Sequence, residues 1–327
     1  MESTLKLSIN TEKWLFTYDQ WMNTPSRKQG LDAEKELKYR QESASLISDA
    51  GQVLKLSMGL INSAVVYMHR FYMYHSILKF HRYTTACTAL YLAAKVGNDF
   101  RKYEHVYAAC IKFFDESGVS VEAIKEWKMD QENIFFDETI MLQTLGFEVD
   151  IELPHTHIIK CLVLINADKN PDISKTSYLL ATQLIQLTTF SIHFESSVIA
   201  CIAIYITLKW TNWEIHLSSE GKEWFSYVES TVTIELMDQA VEVFLDIYRE
   251  SPCRMRRTFD AIYEKYNNTL YPKEILLQEY MKRKPSDNSA TRIPMDLPLP
   301  KFSVEFQTSL SMAAKKCPVI RKRKHFS

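Results

Sequence analysis

Glycine is scarce in this sequence. The chain has 7 glycines among 327 residues, about a third of the roughly 7% that is usual in soluble proteins. Tight turns between short strands depend on glycine, so its scarcity argues against a strand-rich fold and favours long helices. Uncharged apolar runs of about 18 residues are missing as well, and residues 1–11 lack the apolar core of a signal peptide. We therefore expect no membrane span and no secretion signal.

Paired cysteines are also absent. The six cysteines form no CxxC pair, which favours reduced thiols of an intracellular protein over disulfides or a zinc site. His155 and His157 lie two positions apart, cannot share a helix face and have no evident third ligand, so a structural role is preferred. We expect no metal and no cofactor. The cysteines are Cys87, Cys110, Cys161, Cys201, Cys253 and Cys317.

Motifs for nucleotide or hydrolytic chemistry are missing too. The patterns GxxxxGK[S/T], GxGxxG, HExxH and GxSxG do not occur. Without glycines to cradle phosphate groups, the chain is not expected to be a kinase itself. No side chains are spaced so as to form a general acid–base pair or an activated nucleophile, so no catalytic residue is predicted. An all-α enzyme is therefore the weakest of the interpretations.

Charge is divided unevenly along the chain. Residues 251–327 hold 16 basic and 7 acidic residues, a net charge of +9. Residues 1–250 hold 23 basic and 33 acidic residues, a net charge of −10. Seven of the ten prolines also lie in the basic segment. The pattern predicts an acidic folded body followed by a basic, partly flexible tail.

Helical periodicity dominates the body. Ser57 is placed to cap a helix that runs to about Tyr74, and a second helix is predicted from about Thr84 to Val96. The second helix is apolar almost all round, which is typical of a helix buried at the centre of a bundle. A further helix is predicted to end just before Gly146, a residue type that often terminates helices.

An internal repeat lies at an offset of 114 residues. Residues 86–95 read ACTALYLAAK and residues 200–209 read ACIAIYITLK, with five of ten positions identical. Small residues let neighbouring helices pack closely around a central one. The period is too long for a solenoid. The repeat therefore predicts an all-α fold with two tandem five-helix domains of about 100 residues each.

Two charged residues stand at unusual positions. Glu138 lies on an apolar stripe with Ile134 and Met141, and Lys95 ends the first copy of the repeat. A buried carboxylate needs a partner, and a cation suits a helix C-terminus. Lys95 and Glu138 could therefore meet between helices. The alternative is that Lys95 extends into solvent while Glu138 lies at the edge of the stripe.

Several ordered motifs resemble the cyclin T branch of the transcription cyclins. The resemblance is nearly continuous over residues 13–257 and implies two cyclin boxes of five helices each. The motifs are TPSR at 24–27, YMHRFY at 67–72, YLAAKV at 91–96, LQTLGFE at 142–148, PHTH at 154–157 and KWTNWEI at 209–215.

The resemblance implies a domain order. We place an N-terminal segment and first helix region at residues 1–40, a kinase-binding first cyclin box at 41–149, a second box at 150–250 and the basic, partly flexible tail at 251–327.

The resemblance also implies a regulatory subunit without catalytic activity. Cyclins of this branch bind the small lobe of a cyclin-dependent kinase and help complete its ATP-positioning Lys–Glu pair. The complex is positive transcription elongation factor b, whose substrate class is the RNA polymerase II C-terminal repeat domain. A nuclear heterodimer with such a kinase is therefore expected. Matched by motif, the implied kinase-binding residues are Tyr91, Lys95, Glu138 and Phe147, and Arg70 is an implied structural residue of the box.

The sequence departs from the branch just after Lys95. The usual Val-Glu-Glu is replaced by Val96, Gly97 and Asn98, with one acid displaced to Asp99. Two acidic groups at the implied kinase edge are therefore missing, which leaves the identity of the kinase open.

Three further segments resemble binding or targeting regions. Trp224 and Tyr227 match a surface for elongation-complex scaffold proteins, although such an aromatic cluster is more often core packing. A basic run resembles a segment for RNA or inhibitor contacts, or is a solvated helix end, and a second run is of the nuclear-import type. The first run is Arg254, Arg256 and Arg257, and the second is Arg321, Lys322, Arg323 and Lys324.

A second interpretation is a general transcription factor whose paired cyclin-fold domains bind promoter DNA. Such a protein needs a basic body surface and usually carries an N-terminal zinc ribbon. The acidic body and the absence of paired cysteines argue against this alternative.

Overall fold

The computed structural model describes residues 11–117 and 131–251, except positions 212, 214 and 216–220. These ranges contain helices and no strand, which confirms the all-α class. None of the described helices is long and apolar enough to cross a membrane. The α-helices are α1 (Tyr18–Met22), α2 (Pro25–Lys28), α3 (Ala33–Val53), α4 (Met58–Phe71), α5 (Arg82–Val96), α6 (Tyr103–Ser117), α7 (Gln131–Thr144), α8 (Pro154–Leu164), α9 (Pro171–Leu187), α10 (Ser196–Thr211) and α11 (Ile234–Glu250).

Helix α5 is the centre of the first domain. It packs against α3, α4, α6 and α7, and residues 85–94 are all buried. Alanines recur along it, so the surrounding helices can approach its backbone closely. The prediction that residues 86–95 form the hub of a five-helix domain is confirmed.

Helix α10 plays the same part in the second domain. It packs against α8, α9, α11 and the short 3-10 helix Phe190–Ile192. The described part of this domain has four α-helices, and the 3-10 helix Trp224–Tyr227 stands in chain order where the first domain has α6. The second copy of the repeat is thus also a hub.

The helix ends follow local sequence signals. The Ser57 hydroxyl accepts a hydrogen bond from the Leu60 backbone N–H, so the predicted N-cap is confirmed. The same helix ends at Phe71 rather than near Tyr74, because the Tyr72 and Met73 amides already bond back in a closing turn. Helix α5 begins at Arg82, two residues before the predicted start. Helix α3 runs across position 41, where we place the start of the first box.

The two domains are joined by polar contacts as well as apolar packing. Helix α9 of the second domain packs against α3 and α4 of the first. Gln41 donates its side-chain N–H to the Leu187 carbonyl at 2.9 Å, and Asn62 donates to the Thr182 hydroxyl at 3.3 Å. These buried hydrogen bonds fix how the two domains face each other.

The N-terminal segment, residues 11–31, ties both domains together. Its backbone N–H at Phe16 donates to the Ile192 carbonyl of the second domain at 2.7 Å. Its Trp14 indole N–H donates to Glu148, just beyond the first domain's last helix, at 2.7 Å. Because Trp14, Phe16 and Trp21 are buried, the segment is part of the core and not an appendage.

Candidate functional site

Lys95 and Glu138 meet on the surface of the first domain, as the sequence allowed. The Lys95 Nζ lies 2.6 Å from Glu138 Oε1, joining the last turn of α5 to α7. The Glu138 side chain is 8% exposed and that of Lys95 is 40% exposed. The carboxylate is therefore held in place by packing, while the ammonium group can reach solvent and a partner.

Tyr91 completes a trio with this pair. It lies one turn before Lys95 on α5, and the Lys95 Nζ is 5.1 Å from its ring centroid, within cation–π range. Burial raises the pKa of Tyr91, so its hydroxyl is neutral at physiological pH. Because the tyrosine is buried, it supports the lysine from beneath and exposes little area of its own.

Exposed aromatic residues lie around the trio. The ring of Tyr91 is 6.2 Å from that of Phe100 and 6.3 Å from that of Phe135. Phe100 and Phe135 are both exposed, and Phe136, the next residue along α7, is 65% exposed. Large exposed apolar groups around a charged pair are typical of a protein-binding surface. These three phenylalanines were not predicted, although Phe135 lies three positions before Glu138 and therefore on the same helix face.

Phe147 is presented by the turn that ends α7. The Gly146 amide donates to the Gln143 carbonyl and the Phe147 amide donates to the Leu142 carbonyl, both at 3.0 Å, which is a Schellman motif. Gly146 has φ +60° and Phe147 has φ +61°. A left-handed conformation is costly for phenylalanine. The turn holds its ring 69% exposed, as a binding residue requires.

The turn after Lys95 shows what replaced the missing acids. A Cβ at Gly97 would lie 2.1 Å from Leu60 Cδ2, so the glycine makes room for that side chain. Asn98 adopts φ +56°, a conformation that asparagine tolerates better than glutamate does. The displaced acid Asp99 pairs with Arg101. It therefore does not stand in as a free carboxylate at this edge.

Two arginines stabilise the first domain, and only one was predicted. Arg70 is buried, with its guanidinium 4.8 Å from the ring centroid of Trp14. Arg40 is fully buried, pairs with Glu36 at 2.9 Å and donates to the His69 carbonyl at 2.9 Å. Arg40 was missed because a Glu and an Arg four positions apart on a polar helix look like a surface pair.

The second domain repeats the trio of the first. Lys209 lies 2.6 Å from Asp238 and 4.4 Å from the ring centroid of Tyr205, whose hydroxyl donates to Asp238 at 2.7 Å. Although burial opposes it, hydrogen bonds to Asp238 and Tyr205 raise the pKa of Lys209. Tyr205 and Lys209 stand 114 residues after Tyr91 and Lys95, so the duplication extends to this surface detail.

The remaining predicted residues fall in different places. Trp224 is buried against Phe225, whereas Tyr227 is 44% exposed, so of the two only Tyr227 has its ring at the surface. His155 is buried and its Nε2 lies 2.9 Å from the Thr182 hydroxyl, a structural contact. No group of three metal-binding side chains occurs among the described residues. Outside those residues lie Cys253, Cys317, Arg254, Arg256, Arg257, Arg321, Lys322, Arg323 and Lys324.

Comparison with known proteins gives matches across this body. The family model for the cyclin N-terminal domain matches residues 13–150, and that for the Cyclin-T2-like C-terminal domain matches residues 153–247. Mouse Cyclin-T2 is 46% identical over 76% of this chain and 34% of its own length, and human Cyclin-T1 is 43% identical over 77% and 34%. The chain thus spans about a third of the length of these relatives.

A solved structure has the same fold at low sequence identity. One chain in the crystal structure of the yeast RNA Pol II CTD kinase CTDK-1 complex matches with a TM-score of 0.56 and 16% identity over 86% of each chain. At that identity the match shows the fold alone. From the two family models and the relatives together, the chain belongs to the cyclin family, with a second domain of the Cyclin-T2-like kind.

Proposed function

We propose that this chain is the regulatory subunit of a transcription-elongation kinase that phosphorylates the RNA polymerase II C-terminal domain. The observation that carries the proposal is the Lys95–Glu138 ion pair set among exposed aromatic residues of the first domain. In this proposal the partner kinase supplies the catalytic residues. The contribution of this chain is to hold the kinase small lobe in its active arrangement, as cyclins do.

The geometry indicates how the surface would bind. Glu138 is nearly buried and orients Lys95, whose ammonium group has donors left for backbone carbonyls of a partner. Phe100 and Phe135, whose rings lie near that of Tyr91, supply exposed apolar area beside it. Phe147, with its exposed ring, is proposed as a further apolar contact. A partly desolvated charge at the centre with aromatic residues around it is the usual arrangement of a binding hot spot.

A charge reversal tests this assignment. Glu138→Lys places two cations together and removes the group that orients Lys95, so activation of a co-expressed cyclin-dependent kinase should fall at least about tenfold. The readout is phosphorylation of a polymerase repeat peptide, with circular dichroism to confirm that the helices persist. Asp238→Lys in the second domain is the matched control and should leave activation within about twofold. Full activation by the Glu138→Lys variant would show that the assignment of Glu138 is wrong.

The kinase itself is identified by co-purification. A stoichiometric kinase recovered from nuclear extract supports the proposal, whereas tight binding to duplex DNA would favour the promoter-binding alternative. The acidic body, with a net charge of −10 over residues 1–250, disfavours that alternative. We place the complex in the nucleus because its proposed substrate is there.

We propose that partners other than the kinase bind the second domain and the tail. We propose Tyr227 as a contact for an elongation-complex scaffold protein, since its ring is exposed. Trp224, which is buried, would support that surface from within. RNA or an inhibitor protein is the proposed partner of the basic run that begins at Arg254.

A further inference from the structure

The turn that ends α7 is held by side chains from other parts of the chain as well as by its own backbone. The Tyr67 hydroxyl on α4 donates to the Val149 carbonyl, and the Trp14 indole N–H donates to Glu148 Oε2 at 2.7 Å. Phe147 comes directly before these two anchored residues and has a left-handed backbone. Such a conformation persists only where the surroundings fix it. We therefore expect the contacts of its neighbours to keep Phe147 in place.

Trp14 is a rigid donor for this contact. Its ring is 2% exposed, and the Arg70 Cζ lies 4.8 Å from the ring centroid. The Tyr74 ring meets it edge-on, at 6.1 Å between centroids. A side chain that is packed on several sides has little freedom to follow a moving acceptor. The indole N–H is thus a fixed point to which the Glu148 carboxylate is bonded.

Lys13 adds a second contact to the same carboxylate. Its Nζ lies 3.1 Å from Glu148 Oε1, but an ion pair as exposed as this one contributes little to stability. The same Nζ would lie 2.9 Å from a Cβ added at Gly146, so the lysine lies directly over the turn. Although burial opposes it, the hydrogen bonds from Trp14 and Lys13 lower the pKa of Glu148. The acceptor is therefore ionised at neutral pH.

The segment that carries both donors is itself anchored on the second domain. The Phe16 N–H donates to the Ile192 carbonyl at 2.7 Å, and the His193 Nδ1 donates to the Phe16 carbonyl at 3.0 Å. Both backbone polar groups of Phe16, two residues beyond Trp14, are therefore bonded outside the segment. The turn after α7 is thus connected to the second domain through residues 13–16.

We propose that Trp14 and Glu148 are positioning residues for kinase binding, because they fix the turn that exposes Phe147. This inference rests on the proposed function, in which Phe147 contacts the kinase. The indole N–H holds the carboxylate, and the carboxylate holds the backbone next to Phe147. A fixed aromatic side chain loses less freedom on binding than a mobile one does. Loss of the Trp14–Glu148 contact should therefore weaken kinase binding even though Phe147 itself is unchanged.

The first measurement is amide hydrogen exchange of Phe147 in the isolated, full-length chain, followed by NMR. This amide donates to the Leu142 carbonyl, so its exchange reports how often the turn opens. Glu148→Ala removes the acceptor and should raise the exchange rate at least about fivefold. Glu148→Gln keeps an oxygen for the Trp14 N–H and should stay within about twofold of the wild-type rate. The amides of α5 should not change, because the effect is confined to the turn.

Glu152→Ala is the matched control for the loss of a carboxylate. Glu152 is 42% exposed, close to the 41% of Glu148, but it pairs with His157 instead of Trp14. Its removal should therefore leave the exchange rate of Phe147 unchanged.

The second measurement is the affinity for the kinase that co-purifies with the chain. Glu148→Ala should raise the Kd about five- to tenfold, and Glu148→Gln should leave it within about twofold. In a chain that already carries Phe147→Ala, Glu148→Ala should change the Kd less than about twofold, because the ring that it positions is gone. A direct contact of Glu148 with the kinase would instead weaken binding equally in both backgrounds.

Three results would overturn the inference alone. They are unchanged exchange of the Phe147 amide in Glu148→Ala, an equal rise in the exchange of the α5 amides, and an equal loss of affinity with and without Phe147. A wild-type chain that binds no kinase is a different result, because it would refute the proposed function and the inference with it.

Discussion

At the scale of single residues, one carboxylate holds the first domain to the N-terminal segment. Glu36 accepts from Arg40 on one oxygen, and from Arg27 and the Thr24 hydroxyl on the other, all within 2.9 Å. The Trp21 ring lies beneath both guanidinium groups, at 4.2 and 5.0 Å. The network can be buried because every charge has a partner.

Glu36→Gln should therefore be strongly destabilising. It leaves two buried guanidinium groups without a counter-charge, which costs about 3–5 kcal/mol of unfolding free energy. Asp246→Asn is the control, because its pair with Arg249 is a partly exposed i, i+3 pair and should cost about 0.5 kcal/mol or less. Urea denaturation measures both. Similar losses in the two variants would contradict the structural role of Glu36.

The sequence predicted Lys95 and Glu138 but not Glu36 and Arg40, for a physical reason. Glu138 interrupts an apolar stripe, so its anomaly is visible in the helix's own periodicity. Glu36 and Arg40 lie on a polar stretch. They are buried by contacts distant in sequence, Glu36 with Thr24 and Arg27, and Arg40 with the His69 carbonyl. That burial is set by a long-range contact, which no local pattern encodes.

At the scale of elements, the turn that ends α7 also places the exposed Phe147 at the candidate surface. Gly146 was predicted as the terminating residue, and the structure confirms it with φ +60°. The left-handed backbone of Phe147 was not predicted, because phenylalanine gives no local signal for it. One turn thus stops the helix and exposes an aromatic side chain at its end.

Two glycine-to-alanine substitutions should change the free energy of unfolding in opposite directions. Gly146→Ala forces a Cβ into a left-handed conformation and should cost about 1 kcal/mol. Gly59→Ala lies in helix α4, where the nearest neighbouring atom is 3.8 Å away, and should add up to about 0.5 kcal/mol. Thermal unfolding of both variants measures the difference. A loss of stability in Gly59→Ala equal to that in Gly146→Ala would contradict this prediction. It would show that steric room for the added methyl group, and not the backbone conformation, determines the effect.

At the scale of the whole molecule, the internal repeat predicted the central helix of each domain but not how the two domains pack against each other. The small residues of the repeat are local signals, so α5 and α10 could be identified from sequence. The contact of α9 with α3 and α4 rests on scattered polar residues such as Gln41, Asn62 and Thr182. Residues of these types are common on helix surfaces, so their burial at a domain interface could not be predicted from sequence.

Three buried histidines lie where the domains and the N-terminal segment meet. His69 donates from Nε2 to the Ile185 carbonyl, His193 donates from Nδ1 to the Phe16 carbonyl, and His155 contacts Thr182. In each case the other ring nitrogen is buried without a partner. Burial lowers the pKa of His69 to about 3 and that of His155 and His193 to about 4. A second proton on the ring of His69 or His193 would have no acceptor among the described residues.

The stability of the protein should therefore fall as pH decreases from about 6.5 toward 4. In that window the unfolded chain binds protons that the folded chain excludes, and each histidine contributes a slope of up to about 1.4 kcal/mol per pH unit. Urea unfolding between pH 7.5 and 5.5 measures the slope before most carboxylates titrate. His193→Gln should remove about a third of it, whereas His105→Gln at an exposed position should change it little. A slope unaffected by His193→Gln would mean that the proton is accommodated at this interface, and the neutral-histidine account of how the domains hold together would be wrong.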